Sequence, residues 1–322
     1  MTIPTNINGL TVTNIGQQAF YGCTSLSSII IPNSVTSIGQ EAFMKCTNLA
    51  YVTLSNGVAS IGDYAFGMCF ILTNITIPSS VTNIGTLVFL DCFSLPAIIV
   101  DSQNAFYCSV NGVLFNKMQS TLVQYPVDGA GGNYTIPSSV TNIGANAFYG
   151  CGLTSVTIPN SVVSIGEGAF YWCNNLVSAE IGTGVTNIGG DAFYYSGCYS
   201  AYFTGNAPVV DSTTFSCAWG LTAYYLPGAT GWDSFSANAG VRTMQWNPLI
   251  QTADGGFGVQ SNQFAFNITG TNNFTVVVEA CTNLINPIWT PLQTVTLING
   301  TFHFGDPQWT NYPNRYYSLQ MP

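Results

Sequence analysis

Ten cysteines, one histidine and thirteen acidic residues are the side chains of this chain that could serve as nucleophiles, metal ligands or acid–base groups. Six of the cysteines are regularly placed. Cys23, Cys46, Cys69 and Cys92 follow one another at 23-residue steps, and Cys151 and Cys173 are 22 residues apart. Such spacing puts equivalent side chains on adjacent layers of a stacked structure, all pointing the same way and separated by about the strand spacing of 4.8 Å. A disulfide needs Cβ atoms about 3.8 Å apart and facing each other. The column therefore reads as buried, reduced thiols acting as small apolar fillers, with a metal ladder or redox chain as the minor alternative. Cys108, Cys198, Cys217 and Cys281 lie off the column; a Cys198–Cys217 bridge is compatible with the sequence but has no motif behind it.

The remaining chemistry is sparse. One histidine excludes multi-histidine metal sites, and the absence of a Cys-x-x-Cys pair removes the usual zinc signature. His303 sits in Phe302-His303-Phe304, which reads as an outward-facing strand residue, and no second motif supports a Ser/His or Cys/His nucleophilic pair. Glu41, Asp63, Glu167 and Asp191 all fall two or three residues after the Ile of an Ile-Gly pair. That position reads as the first turn of a short helix, where negative charge complements the helix dipole. Calcium along that edge is the alternative. No spacing nominates the two facing acids a glycosidase needs. The sequence thus indicates no catalytic residue, no metal site and no cofactor.

The elements that position these residues are repeats. Ile-Gly-x-x-Ala-Phe-x-x-Cys begins at Ile15, Ile38 and Ile61, returns at Ile84 with Val88 in place of Ala, and resumes at Ile143, Ile165 and Ile188, where Ser196 replaces the Cys. A period of about 23 residues means one supersecondary unit per repeat, stacked so that neighbours share a continuous core. Within residues 26–48, Leu26-x-x-Ile29-x-Ile31 alternates as a half-buried strand does. Pro32 ends it, and Val35-x-x-Ile38 makes a second short extended segment. Gly39 is expected to supply a corner at a backbone angle other residues resist. Gln40 to Cys46 reads as one or two helical turns with Ala42, Phe43 and Cys46 inward. The predicted fold class is an α/β repeat solenoid with a parallel sheet on one face, followed by a small all-β sandwich.

Composition narrows the function classes. The 322 residues carry a net charge of −9, and 5% of them are charged, against a usual quarter, so the surface must be solvated by Ser, Thr, Asn and Gln. Four basic residues, Lys45, Lys117, Arg242 and Arg315, are too few to neutralise a phosphate backbone. The acidic balance likewise argues against docking on anionic membranes. No run of about 18 apolar residues offers a membrane span. Met1-Thr2-Ile3-Pro4 looks like the strand end Ile31-Pro32, so a signal peptide and an N-terminal cap are expected upstream or removed.

The pattern Leu-x-x-Ile-x-Ile-Pro-x-Ser-Val-Thr-x-Ile-Gly-x-x-Ala-Phe-x-x-Cys resembles the BspA-type leucine-rich repeats of bacterial surface and secreted proteins. The resemblance covers residues 1–203 and includes a longer variant repeat at about 95–136, in which Asn111-Gly112 is independently a hairpin turn signal. Residues 204–246 read as a degenerate terminal repeat or cap, with Phe215 and Cys217 echoing the Phe and Cys columns. Residues 250–322 read as the sandwich, with alternating segments such as Phe264–Ile268 and Leu292–Leu297, and resemble C-terminal modules of secreted proteins from environmental bacteria. The resemblance implies an extracellular or cell-surface location and a non-enzymatic role in binding or adhesion.

Counting from the repeat locates the residues that face outward on the sheet. One column runs Ile30, Thr53, Thr76, Ile99, Thr135, Thr157, Glu180, Tyr202 and Tyr225, and a flanking column contains Tyr51 and Asn74. Solenoids bind along such extended surfaces. Hydroxyls, amides and scattered aromatics suit a protein or glycan ligand, while a solvated β face with ordinary Thr and Tyr propensity is the plainer reading. Ice binding by ordered Thr is broken by Ile30, Ile99 and Glu180. The alternative function is a self-assembling subunit of an extracellular fibre or surface layer, bound to other copies of itself, since low charge removes repulsion between subunits.

Overall fold

The computed structural model describes residues 1–127, 129, 131–270 and 274–320. They form two compact units, one of residues Met1–Ala223 with Ala229–Thr243, the other of Tyr224–Gly228 with Met244–Pro322.

The first unit is a solenoid whose coils carry two lines of parallel strands. The longer strands include Ser28–Ile31 paired with Tyr51–Leu54, and Leu153–Ile158 paired with Ser178–Ile181. Register follows the repeat, so that Ile29 faces Val52 and Ile30 faces Thr53. Strand alternation then sorts the side chains: Ile29 and Ile31 are buried while Ile30 between them is exposed. The shorter strands Asn14–Ile15, Ser37–Ile38, Ser60–Ile61 and Asn83–Ile84 make a second parallel sheet from the Val-x-x-Ile segments. In the variant repeat, Tyr107–Val110 and Val113–Asn116 form the expected hairpin, with Asn111 and Gly112 both left-handed at φ 52° and 82°.

The third side of each coil is not helical. The expected helix at Gln40–Cys46 is a pair of tight turns, because Glu41 and Lys45 adopt φ of 55° and 63°. Two left-handed residues four apart break an α-helical ladder. The backbone bonds alternate instead. Ala42, Met44 and Cys46 donate N–H three residues back, while Glu41, Phe43 and Lys45 donate to Asp63, Ala65 and Gly67 of the next coil at 2.8–2.9 Å. These bonds between coils offset the cost of about 1–2 kcal/mol for each left-handed residue. The acids consequently have no helix dipole to complement. Asp63 Oδ1 accepts the Thr86 N–H at 2.7 Å, and the Glu41 carboxylate accepts the Gln18 amide at 2.8 Å, both ties between adjacent coils.

The corner glycines also differ from expectation. Gly39 and Gly62 lie outside the left-handed region. A Cβ on Gly62 would stand 2.7 Å from Gln40 N and 2.8 Å from Gly39 C, so the motif needs glycine for close stacking of coils rather than for an unusual angle.

Inside, the Phe column is stacked in two runs, one on each side of the variant repeat. Phe20, Phe43, Phe66 and Phe89 follow at centroid distances of 5.0, 5.3 and 6.0 Å, each pair within 9° of parallel. Tyr125 occupies the column in the variant repeat, 5.3 Å from Phe148, and Phe170, Phe193 and Phe215 continue it. The cysteines are free thiols. Column thiols also bond: Cys46, Cys69, Cys92 and Cys173 donate Sγ–H to the carbonyls of Phe20, Phe43, Phe66 and Phe148 at 2.9–3.3 Å. Cysteine here fills space and satisfies the carbonyl of the coil before it. Where Ser196 takes the place, its buried Oγ has no partner. Cys217 is a correction to the column assignment. It is three-dimensionally equivalent to Trp172 and Tyr195, sharing their left-handed φ, and Ala218 fills the thiol position behind Phe215.

Burial pushes the Cys46 thiol up to about 11 and Cys92 to about 12, and moves Cys69 and Cys173 upward as well. A thiolate is the reactive form. Native protein at pH 8 is therefore expected to react with a thiol reagent at the half-buried Cys23, Cys108 and Cys217 only, with Cys46, Cys69, Cys92 and Cys173 reacting after denaturation. Mass mapping of the labelled sites checks this, and rapid native labelling of Cys69 would contradict it.

The second unit has two antiparallel sheets. One contains Leu249–Gln251, Gly258–Gln260, Gln263–Thr269 and Thr301–Asp306; the other contains Phe274–Cys281, Thr290–Leu297 and Tyr316–Gln320. Ala265, Phe266, Ile268, Val276, Val278 and Leu297 are buried, and Phe266 of one sheet meets Tyr317 of the other at 5.3 Å.

Candidate binding face

The long-strand sheet of the solenoid presents the residues that the repeat register predicts. Ile30 pairs with Thr53, Thr76 with Ile99, and Thr135 with Thr157, which pairs in turn with Glu180. Tyr51 pairs with Ser28 on one side and Asn74 on the other. Ile30, Tyr51, Thr53, Asn74, Thr76, Ile99 and Thr135 are all exposed, Tyr51 at 58%. Alternation produces this: the neighbours Val52, Ile75, Ile98 and Ile136 supply the core, which leaves these positions outside.

Thr157 and Glu180 are half-buried, and two further predicted members depart from the column. Tyr202 keeps register with Glu180 but is only 6% exposed, because the strand Ser200–Phe203 is covered on both faces. It packs instead of being presented. Tyr225 is half-buried and falls in the second compact unit. The column is also interrupted. The 107–116 hairpin docks beside the strand Ile99–Val100, with Ile98 N–H donating to Gly112 O at 2.8 Å and Ser109 Oγ donating to Ile98 O at 2.6 Å. Gly112 fits there because a Cβ would meet Ala97 Cβ at 2.7 Å.

The face carries little charge. Thr157 Oγ1 donates to Glu180 Oε2 at 3.3 Å. Partial burial raises the Glu180 carboxyl above the usual carboxylate range, and that hydrogen bond pulls it the other way. Among the described residues no group of three or more His, Cys, Asp and Glu side chains is placed to hold a metal ion. His303 is exposed, with Nδ1 2.7 Å from Asn267 Oδ1, and Asn267 donates in turn to Asp254. No helix of the described residues is long and apolar enough to cross a membrane.

The turn side carries an aromatic patch that the sheet-column count did not reach. Tyr149, Tyr171 and Tyr194 stack at 5.4 and 4.7 Å, with Trp172 and Tyr195 beside them at 47% and 45% exposure. Its signal in the sequence is the residue just after each core Phe, which is aromatic in three successive repeats. Phe70 and Phe93 form a second exposed stack at 5.7 Å.

Stacked coils with registered parallel strands, an internal Phe stack and a variable outward face define a leucine-rich-repeat solenoid. The family model described as the BspA type leucine rich repeat region matches residues 6–124 and 132–237 in six copies, and the chain belongs to that family. A leucine-rich repeat protein from Eubacterium ventriosum is 29% identical with a TM-score of 0.56, over 69% of this chain and 66% of that one, so the chain spans just under two thirds of its length. A leucine rich cell surface protein from Faecalibacterium prausnitzii is 25% identical with a TM-score of 0.47, over 74% of this chain and 91% of that one. No curated protein matches the chain.

Proposed function

We propose that the outward face of the long-strand sheet binds a protein or glycan outside the cell, as a non-enzymatic adhesion scaffold. The observation that carries this reading is the pair of registered, exposed columns around Tyr51, Thr53, Asn74 and Thr76, whose side chains are not needed by the core. Their chemistry is hydroxyl, amide and aromatic with almost no charge, which suits a ligand recognised by hydrogen bonds and ring contact. Membership of the repeat family supports a binding scaffold, and the likeness of its repeats to those of bacterial surface and secreted proteins agrees with an extracellular setting. In this reading residues 204–246 close the array and 250–322 form a separate module.

The test is a screen of the full chain against glycan and surface-protein arrays, followed by variants. Tyr51→Ala is expected to weaken the selected interaction by about tenfold, as truncation of an interfacial tyrosine does, without changing the melting temperature. Trp172→Ala on the turn side serves as the contrast. Loss of binding by Trp172→Ala with Tyr51→Ala unaffected would move the site from the sheet to the aromatic edge.

A further inference from the structure

The second unit contains one arginine, Arg315, and no lysine, since Lys45, Lys117 and Arg242 all lie in the first. The Arg315 side chain is 9% exposed. Nε lies 2.7 Å from Asp306 Oδ2, yet at an angle that leaves the N–H without a hydrogen bond. Asp306 is itself occupied: Oδ2 accepts Tyr317 Oη–H at 3.0 Å and Oδ1 accepts the Gln308 N–H at 2.9 Å. One face of the guanidinium is covered by the Tyr312 ring, 4.2 Å from Cζ. A guanidinium carries five N–H donors, and this one is buried with its Nε–H unsatisfied. A buried ion pair of this kind is weak evidence for stability.

Arg315 also lines a cleft of about 410 Å³, which it shares with Phe257, Phe264, Leu284, Trp289 and Tyr316. A second cavity of about 460 Å³ reaches the same residue from the side of Ile288 and Tyr312. The walls are apolar and partly open, with Phe257 44% and Leu284 55% exposed. A mostly apolar cleft with a few convergent polar groups, here Arg315 with Thr252 and the tyrosines, is the usual form of a small-ligand site. Asp306 stands at the Nε edge of Arg315, so a ligand in the cleft would meet the guanidinium at its Nη groups. A carboxylate matches the guanidinium fork in that geometry.

We propose that the second unit binds a carboxylate attached to an apolar body, with Arg315 gripping the carboxylate and Phe257, Trp289 and Tyr316 covering the body. The carboxylate could belong to a free aryl or branched-chain acid or to the C-terminus of a peptide ending in an apolar residue. This site shares no residue with the sheet face of the solenoid, so the two proposals stand or fall separately.

The experiment titrates the full chain with 3-phenylpropionate and its amide, and with an acetylated tripeptide ending in phenylalanine in its acid and amide forms. Calorimetry and tryptophan fluorescence, with Trp289 in the wall, are the readouts. Each acid is expected to bind at least about tenfold more tightly than its amide, and Arg315→Lys, which keeps the charge but loses the fork, is expected to remove that preference. Because altering Arg315 strands Asp306 and can unfold the unit, the exposed wall variant Phe257→Ala is the second arm, expected to weaken binding about fivefold at unchanged melting temperature. A peptide acid binding more tightly than phenylpropionate assigns the site to protein C-termini; equal binding assigns it to small acids. Equal affinity for acid and amide, or no response to either acid at about 10 mM, where even weak binding would register, overturns the proposal.

Discussion

Phe66→Ala is expected to destabilise the solenoid by about 3–5 kcal/mol, the range for truncating a fully buried phenylalanine. The ring has no solvent exposure and is sandwiched between Phe43 at 5.3 Å and Phe89 at 6.0 Å. The neighbours are restricted from moving into the gap, because Phe43 N–H is bonded to Ala65 O of the next coil and Phe89 O accepts the Cys92 N–H of its own turn. The cavity should therefore remain, and the loss should include a cavity term beyond simple transfer. Coils interact mainly with their neighbours, so a break at Phe66 uncouples the layers on either side. Phe20 is the internal comparison: it is half-buried and stacked on one neighbour only. Phe20→Ala should cost clearly less. Urea unfolding of both variants decides the matter, and equal losses would mean that the stack does not propagate stability along the array.

Much of this architecture was legible because a fixed period ties every coil to one pattern. Alternation in Leu26-x-x-Ile29-x-Ile31 located the strand and placed Ile30 outside, and the same count put Tyr51 and Thr53 on the candidate face. What the pattern concealed were features set by the coil above or below. The segment around Ala42 and Phe43 has helical apolar spacing, but its backbone N–H groups alternate between its own turn and the next coil. Left-handed residues such as Glu41, Lys45, Tyr64 and Met68 are poor single-residue signals. The equivalent Gly22, Gly150 and Gly168, all at positive φ, were the available clue. On the candidate face, Tyr202 had the right register and the wrong environment, since a column count reports direction along the sheet but not what covers it. The Arg315 cleft lay beyond reach because it joins residues from both sheets of the second unit, with no repeat to align them.

Within the Ile-Gly corner, the same substitution is expected to have opposite effects at two positions. Gly62→Ala should destabilise the protein by about 1–3 kcal/mol or more, as overpacking does. The atoms its Cβ would meet, Gln40 N at 2.7 Å, Gly39 C at 2.8 Å and Gln40 Cα at 3.1 Å, are all backbone and cannot rotate away. Relief requires the coils to part, and that stretches the Gly62 N–H to Ile38 O bond, now 2.8 Å. Gly16 occupies the same motif position with open space where a Cβ would stand: nothing lies within 4 Å, and its φ is not left-handed. There an alanine reduces the freedom of the unfolded chain without strain, which stabilises by about 0.4–1 kcal/mol. If the corner glycine were required for its backbone angle, both substitutions would destabilise alike. If it is required because one coil lies against the next, thermal melts of Gly16→Ala and Gly62→Ala should shift in opposite directions, and the sign of the Gly16→Ala shift separates the two explanations.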